Sequence, residues 1–210
     1  TFVNSQSTGS LPQDVIGRVK TVVENALVFI AETKSLDALS KIVGHDYKTY
    51  EHATKVLWLT ALFLKANPDI LEEIEPDCVH YTEDEMSLLL EQCGVAAILH
   101  DIGKVFVPTE ILNKNGPLNE VEWEIVKRHP FGSLALLLDT GIPTFVKKAV
   151  LHHHEDFKGG GYPIGVAGDD IHPLARVIKI ADVFDAMTSK RPYKDAMVPA
   201  EAIKLTSSPP

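Results

Sequence analysis

Val95-Ala96-Ala97-Ile98-Leu99-His100-Asp101-Ile102-Gly103-Lys104 is the stretch on which the fold turns. Five apolar residues run directly into an adjacent His and Asp, and a glycine follows. With a polar start near Glu85, the segment predicts a buried helix that stops at Gly103. A His and an Asp at the buried end of a helix are costly unless they are paired or bound to a cation. Taken alone, the pair also fits a helix C-terminus whose histidine caps carbonyls. Asp182 weakens that reading. It lies inside Ile178-Lys179-Ile180-Ala181-Asp182-Val183-Phe184, among apolar residues, where a carboxylate needs a partner and a cation is the obvious one.

Outward from this stretch the periodicity stays helical. Towards the N-terminus, a helix from about Tyr47 to Lys65 puts His52 on one face with Val56, Leu59 and Phe63. Val15, Val19, Val22, Val23, Leu27 and Ile30 space a further helix within 14–46, either structural or a linker, and the Ser/Gly-rich residues 1–13 read as a disordered lead. The acidic stretch Asn67 to Glu85 reads as a loop or short helix over one end of the domain, a lid, an interface or, first of these, an idle insertion. Towards the C-terminus, Asn119 with Pro117 before it and Glu122 three residues on resembles a capping box. His129-Pro130 marks a break before a helix over Gly132 to Leu138. Thr144 caps a helix to about His154, and Pro173 opens one to about Thr188. Between them, Gly159-Gly160-Gly161-Tyr162-Pro163 must be a loop. No strand alternation of useful length appears, so the expected class is all-α. Residues 47–200 form the expected catalytic domain, and 201–210 are expected to be a disordered tail.

Composition bounds the function. The 210 residues suffice for one domain with a core, and 45% hydrophobic with 23% charged residues is ordinary for a globular protein. The longest apolar run, Val56 to Leu64, is broken by Thr60 and falls short of a membrane span. Cys78 and Cys93 form no Cys-x-x-Cys pair, which fits a reducing cytoplasm. A net charge of −9 argues against a DNA or RNA polymer as partner, yet a metal site can still draw a small anion. The chain opens on Thr rather than Met, which suggests a processed fragment.

Nine histidines are unevenly placed. His152-His153-His154-Glu155 ends a helix directly before the glycines. Neighbouring helical residues splay by about 100°, so two of the three histidines reach one site only where the helix ends. His and Asp donors without cysteine suit a transition metal in a hydrolytic site and disfavour structural zinc.

Taken in order, His100-Asp101-Ile102-Gly103-Lys104, His129-Pro130, His153-His154-Glu155, Gly161-Tyr162-Pro163, Asp182-Val183-Phe184-Asp185-Ala186 and Arg191-Pro192-Tyr193 resemble the HD-GYP family, a branch of the HD-domain phosphohydrolases. The similarity covers roughly Tyr47 to Met197. It implies an HD-domain helical bundle whose Gly-rich loop borders a two-metal site. It also implies hydrolysis of cyclic di-GMP to pGpG or GMP by a metal-bridging hydroxide. By position, His52, His100, Asp101 and Asp182 would hold one metal. Asp101 would bridge to a second held by His129, His153 and His154. Iron or manganese is expected, with zinc, nickel or magnesium as substitutes. Asp101 and Lys104 carry the catalytic roles, Lys104 by reaching phosphate. Lys104, Asp185, Arg191, Lys194, Gly161, Tyr162 and Pro163 are the expected substrate-side residues, and Asp185 could instead orient a ligand. Sensor or receiver domains commonly accompany the family, and a homodimer is a further expectation.

Three departures stand out. Lys48 occupies the position where some members carry a third-metal Glu, which limits the expectation to two metals. Lys158-Gly159 replaces the usual Asp-Gly of the loop, which puts substrate fit in question. The segment between His52 and His100 is long. The family also continues past the Arg-Pro-Tyr segment, so a C-terminal helix is expected to be missing. Two other functions stay open: an HD-domain hydrolase of another cyclic or linear nucleotide, and a catalytically weak nucleotide-sensing or scaffold domain.

Overall fold

A computed structural model describes residues 47–189 and 196–207. The N-terminal expectations over 1–46, and the residues Arg191 and Lys194, lie outside the described residues. Among those described, the chain is helical and no strand occurs. The longer elements are α1 (Tyr47–Ala66), α2 (Asp69–Ile74), α3 (Glu83–Leu99), α4 (Thr109–Leu112), α5 (Glu120–Val126), α6 (His129–Leu137), α7 (Thr144–His152), α8 (Pro173–Thr188) and α9 (Pro199–Ser207). Short 3-10 turns follow α2 (Pro76–His80), α3 (Ile102–Phe106) and the Gly-rich loop (Gly168–Asp170).

Helix α3 is the axle. Its C-terminal half, Cys93 to Leu99, is wholly buried, and it packs against both α1 and α7. Helix α8 closes the bundle against α1 and α7, and α6 lies on the turn that follows the His-Asp pair. Leu57, Leu64, Ile98, Leu99, Ile102, Leu137, Leu174 and Ile178 fill the centre. Burying a side chain of this kind stabilises by about 1.5–3 kcal/mol, so the apolar runs read from the sequence account for the bundle.

The helix starts follow local chemistry. Asn119 Oδ1 accepts the Glu122 N–H while Glu122 accepts the Asn119 N–H, the expected capping box. A second box, Thr82 with Glu85, starts α3 two residues earlier than the apolar pattern suggested. Four expectations need correction. Helix α6 begins at His129 itself, because Pro130 fits the first turn, where no backbone N–H is needed. Thr144 is the first helical residue and makes no cap; Pro143 precedes it. Residues 201–207 are helical rather than a disordered tail, and Ala202 is buried in contact range of α8. The acidic stretch is not idle: Leu71, Ile74 and Cys78 turn inward to the core, and α2 rests on α8. Cys78 and Cys93 are both free.

Candidate metal centre

The bundle brings His52 from α1, His100 and Asp101 from the end of α3, His129 from the start of α6, His153 and His154 from the end of α7, and Asp182 from α8 to one place. Asp101 is at its middle and its two oxygens look opposite ways. Oδ1 lies 3.1 Å from His129 Nε2 and 3.8 Å from His153 Nε2. Oδ2 lies 3.3 Å from His100 Nε2 and 3.8 Å from His52 Nε2. Two donor groups result: Asp101 with His129, His153 and His154, and Asp101 with His52 and His100. Asp182 stands at the rim of the second, its Oδ1 3.2 Å from His52 Nε2.

Backbone carbonyls fix the ring tautomers. His100 Nδ1 is 2.7 Å from the Ala97 oxygen, His129 Nδ1 2.8 Å from Val126, and His153 Nδ1 2.6 Å from Val150. A carbonyl can only accept, so each Nδ1 carries the proton and each Nε2 presents a lone pair to the centre. The consequence is costly without a cation. His129 Nε2 and His153 Nε2 face each other at 3.2 Å, two acceptors with no proton between them. His100 Nε2 and Asp101 Oδ1 are buried with no hydrogen-bond partner. Buried polar atoms are seldom left so, and a divalent cation on each side of Asp101 satisfies all of them. The donor set of imidazole and carboxylate suits such ions.

Electrostatics agree. Burial opposes charge on Asp101, but the Lys104 ammonium beside it holds its carboxyl well below the usual range. Burial is also the largest influence on His153, which falls to about 4, and on His154, which falls further. Both are therefore neutral and able to ligate. His52 differs. Burial would lower it, yet hydrogen bonds to Asp182 and Asp185 raise it to about 9. A cation on His52 therefore displaces the Nε2 proton.

Two short-range relays support the ligands. Ser133 Oγ donates to the His100 carbonyl at 2.8 Å and accepts the Gly103 N–H at 2.8 Å, tying the His-Asp turn to α6. Gly103 makes this approach possible, since a Cβ there would lie 2.0 Å from the His129 oxygen. At the loop, buried Glu155 accepts the N–H groups of Ile164 at 2.7 Å and Gly165 at 3.0 Å, and its own carbonyl accepts from Lys179 Nζ at 2.6 Å. Gly161 passes so close to Glu155 that a Cβ would meet the Glu155 Cα at 2.5 Å. Tyr162, joined to Pro163 by a cis peptide bond, stacks on the His154 ring at 4.7 Å between centroids. The loop thus borders the metal-side histidines. The Lys158 N–H donates to Asp156 Oδ1 at 3.1 Å, so the turn closes on Asp156 at a position where the sequence lacks the usual Asp.

Asp185 sits where its ligand-orienting alternative has geometric support. Its carboxylate is buried, accepts from His52 Nδ1 at 2.6 Å and accepts the Ser189 hydroxyl at 2.8 Å. It holds His52 Nδ1 and does not face outward. Asp185→Ala is expected to weaken metal affinity on the His52 side by about 10–100-fold, with little change on the His129 side. Metal titration followed by calorimetry would show two unequal losses; equal retention at both would refute the role. Ser133 and Glu155 received no site role from the sequence. A small residue one turn after His129 and a Glu adjoining two histidines were the only signals.

A family profile described as HD domain matches residues 78–208. The chain belongs to the HD domain family. Among curated relatives, a Pseudomonas aeruginosa protein named cyclic di-GMP phosphodiesterase is 47% identical over 117 residues, 55% of this chain and 28% of that one. A Vibrio cholerae protein named probable cyclic di-GMP phosphodiesterase is 42% identical over 195 residues, 89% of this chain and 40% of that one. A Vibrio cholerae 3′3′-cGAMP-specific phosphodiesterase is 41% identical over 110 residues, 52% of this chain and 24% of that one. The chain spans less than half the length of these relatives. A Bdellovibrio bacteriovorus structure described as an HDG“Y”P protein superposes with a TM-score of 0.54 at 20% identity, covering 91% of this chain and 56% of that one, which supports the HD fold. Among the described residues, no helix is long and apolar enough to cross a membrane.

Proposed function

We propose that this HD domain is a metal-dependent phosphodiesterase that hydrolyses cyclic di-GMP to pGpG or GMP. The observation that carries the reading is Asp101, buried with its two oxygens facing two separate histidine groups. His52, His100, Asp101 and Asp182 would hold one divalent ion, and Asp101, His129, His153 and His154 the other, iron or manganese fitting the donors best. Such a pair supplies a water made nucleophilic at neutral pH and positive charge against the phosphoryl oxygens.

The chain's own groups do the rest. Nδ1 protons held on the Ala97, Val126 and Val150 carbonyls keep three Nε2 lone pairs aimed inward. Lys104 Nζ, on Asp101 Oδ2, is partly exposed and flexible enough to donate to a non-bridging phosphate oxygen. Glu155 holds the loop that carries Tyr162 and Pro163 beside His154. Arg191 and Lys194 are retained as substrate contacts on the sequence alone. Sensor or receiver domains elsewhere in the full protein would control the activity, and a cytoplasmic location fits a nucleotide second messenger.

The test is incubation with cyclic di-GMP and Mn²⁺ or anaerobic Fe²⁺, with products separated over time. Appearance of pGpG or GMP is expected. A second reading, preference for 3′3′-cGAMP, is favoured by the relative of that specificity; faster turnover of that dinucleotide in direct competition would replace the first. No product from either, in protein carrying two metals, would overturn both.

A further inference from the structure

Trp123 is a large apolar residue left 45% exposed on the short helix α5, a place where a buried core does not explain it. Its ring meets Tyr162 edge-on, with centroids 6.1 Å apart and planes at 78°. Tyr162 in turn stacks on His154 and lies 6.3 Å from the His129 ring. The three rings form a stepped wall that leads from the metal-side histidines outward to Trp123. The helix that carries Trp123 is held at both ends. The Asn119–Glu122 box, joined by Lys114 on Glu122, fixes its start, and the Val126 carbonyl at its end anchors His129 Nδ1. Trp123 is therefore fixed relative to the metal centre through one turn of helix. Among the described residues, it lies outside the hydrophobic core clusters.

We propose that Trp123 is a specificity-determining residue that stacks on a purine base of the substrate, a step outward from the phosphate. The proposal rests on the cyclic dinucleotide reading of the same site. The substrate carries planar bases on both sides of a compact phosphate ring. With a phosphate at Asp101 and Lys104, a base must leave the centre along one of its walls. Along the loop, the wall is aromatic and ends in an open indole. Stacking of this kind accepts any purine and rejects a phosphodiester that has no base, so Trp123 would select for dinucleotides without distinguishing guanine from adenine.

Three measurements test it. Trp123→Ala is expected to raise KM for cyclic di-GMP and 3′3′-cGAMP alike by about tenfold, as loss of one base stack does, with kcat little changed. Hydrolysis of bis(p-nitrophenyl) phosphate, which has no purine, should be unaffected, and Trp123→Phe should recover most of the KM. Equal losses on all three substrates would mean that Trp123 merely supports α5, and an unchanged KM would mean that no base meets it; either overturns the proposal. The third measurement needs no catalysis. Trp58→Phe leaves Trp123 as the one tryptophan, and its emission should be quenched when cyclic di-GMP is added to the protein without metal. Absence of quenching overturns the stacking. Quenching in a protein that hydrolyses bis(p-nitrophenyl) phosphate but neither dinucleotide would uphold the stacking and sink the reading of cyclic dinucleotides as its substrates.

Discussion

Asp101→Asn is expected to remove nearly all activity and to abolish stable binding of the metal pair. Among the described residues, Asp101 is the one shared by both donor groups. Its replacement keeps the shape and removes the charge that two cations would share. Losing several kcal/mol of charge stabilisation in a site of this kind corresponds to about a thousandfold or more in rate. Protein stability would report the same loss by an independent route. A ligand that binds only the folded chain raises its stability as RT ln(1 + [L]/Kd), so wild type should gain in Tm when Mn²⁺ is added and Asp101→Asn should not. The fold itself should survive, because Asn can still receive a hydrogen bond from Lys104. A variant that keeps the metal-induced rise and normal turnover would remove Asp101 from the bridging role.

Gly103→Ala is expected to damage the site without touching a ligand. The added Cβ would lie 2.0 Å from the His129 oxygen and 2.3 Å from the Ser133 nitrogen, both backbone atoms that cannot swing aside. The turn after α3 must then lift from α6, breaking the Ser133 relay to His100 and separating the two halves of the metal centre. Overpacking typically costs about 1–3 kcal/mol, sometimes more, which corresponds to a Tm fall on the order of 10 °C at the upper end for a domain of this size. Gly132→Ala is the contrast. Its Cβ meets first the end of the exposed Phe106 side chain at 2.8 Å, and the Gly103 Cα and oxygen only at 3.3 Å, where a shift of a few tenths of an ångström suffices. A thermal melt of both variants should show a large fall for Gly103 and a small one for Gly132. Equal falls would mean that the close approach at Gly103 is not what joins the halves.

Much of the fold could be read from the chain because most helices are long, apolar on one side and clearly punctuated. Helix α1, the body of α3 and the start of α8 at Pro173 were each marked by periodicity or by a residue of fixed backbone preference. The weaker readings have physical causes. The segment from Asn67 to Glu85 carries its three core residues, Leu71, Ile74 and Cys78, among acidic neighbours and two prolines, so its average polarity hides its inward face. Thr144 looked like a cap because its residue type favours that place, but the chain had already turned at Pro143.

The candidate ligands were legible for a different reason. A charged or titratable group inside an apolar run is expensive, so His100, Asp101 and Asp182 announced themselves without any knowledge of their neighbours. The adjoining histidines at 153 and 154 needed only the glycines behind them to suggest a helix end, and α7 does end at His152.

What the sequence by itself determined is therefore the helical class and the set of residues whose burial demands a partner. Both follow from properties that each residue carries along the chain: its propensity, its polarity and its period. Only the tertiary structure decided how those residues divide. It split the two oxygens of Asp101 between separate histidine groups, spent Asp185 on His52, placed Glu155 under the loop and set Trp123 edge-on to Tyr162. Each of these depends on the direction of a side chain across a gap of many residues, and no local preference encodes a direction. Packing of α1, α3, α6, α7 and α8 around one buried axle supplies it.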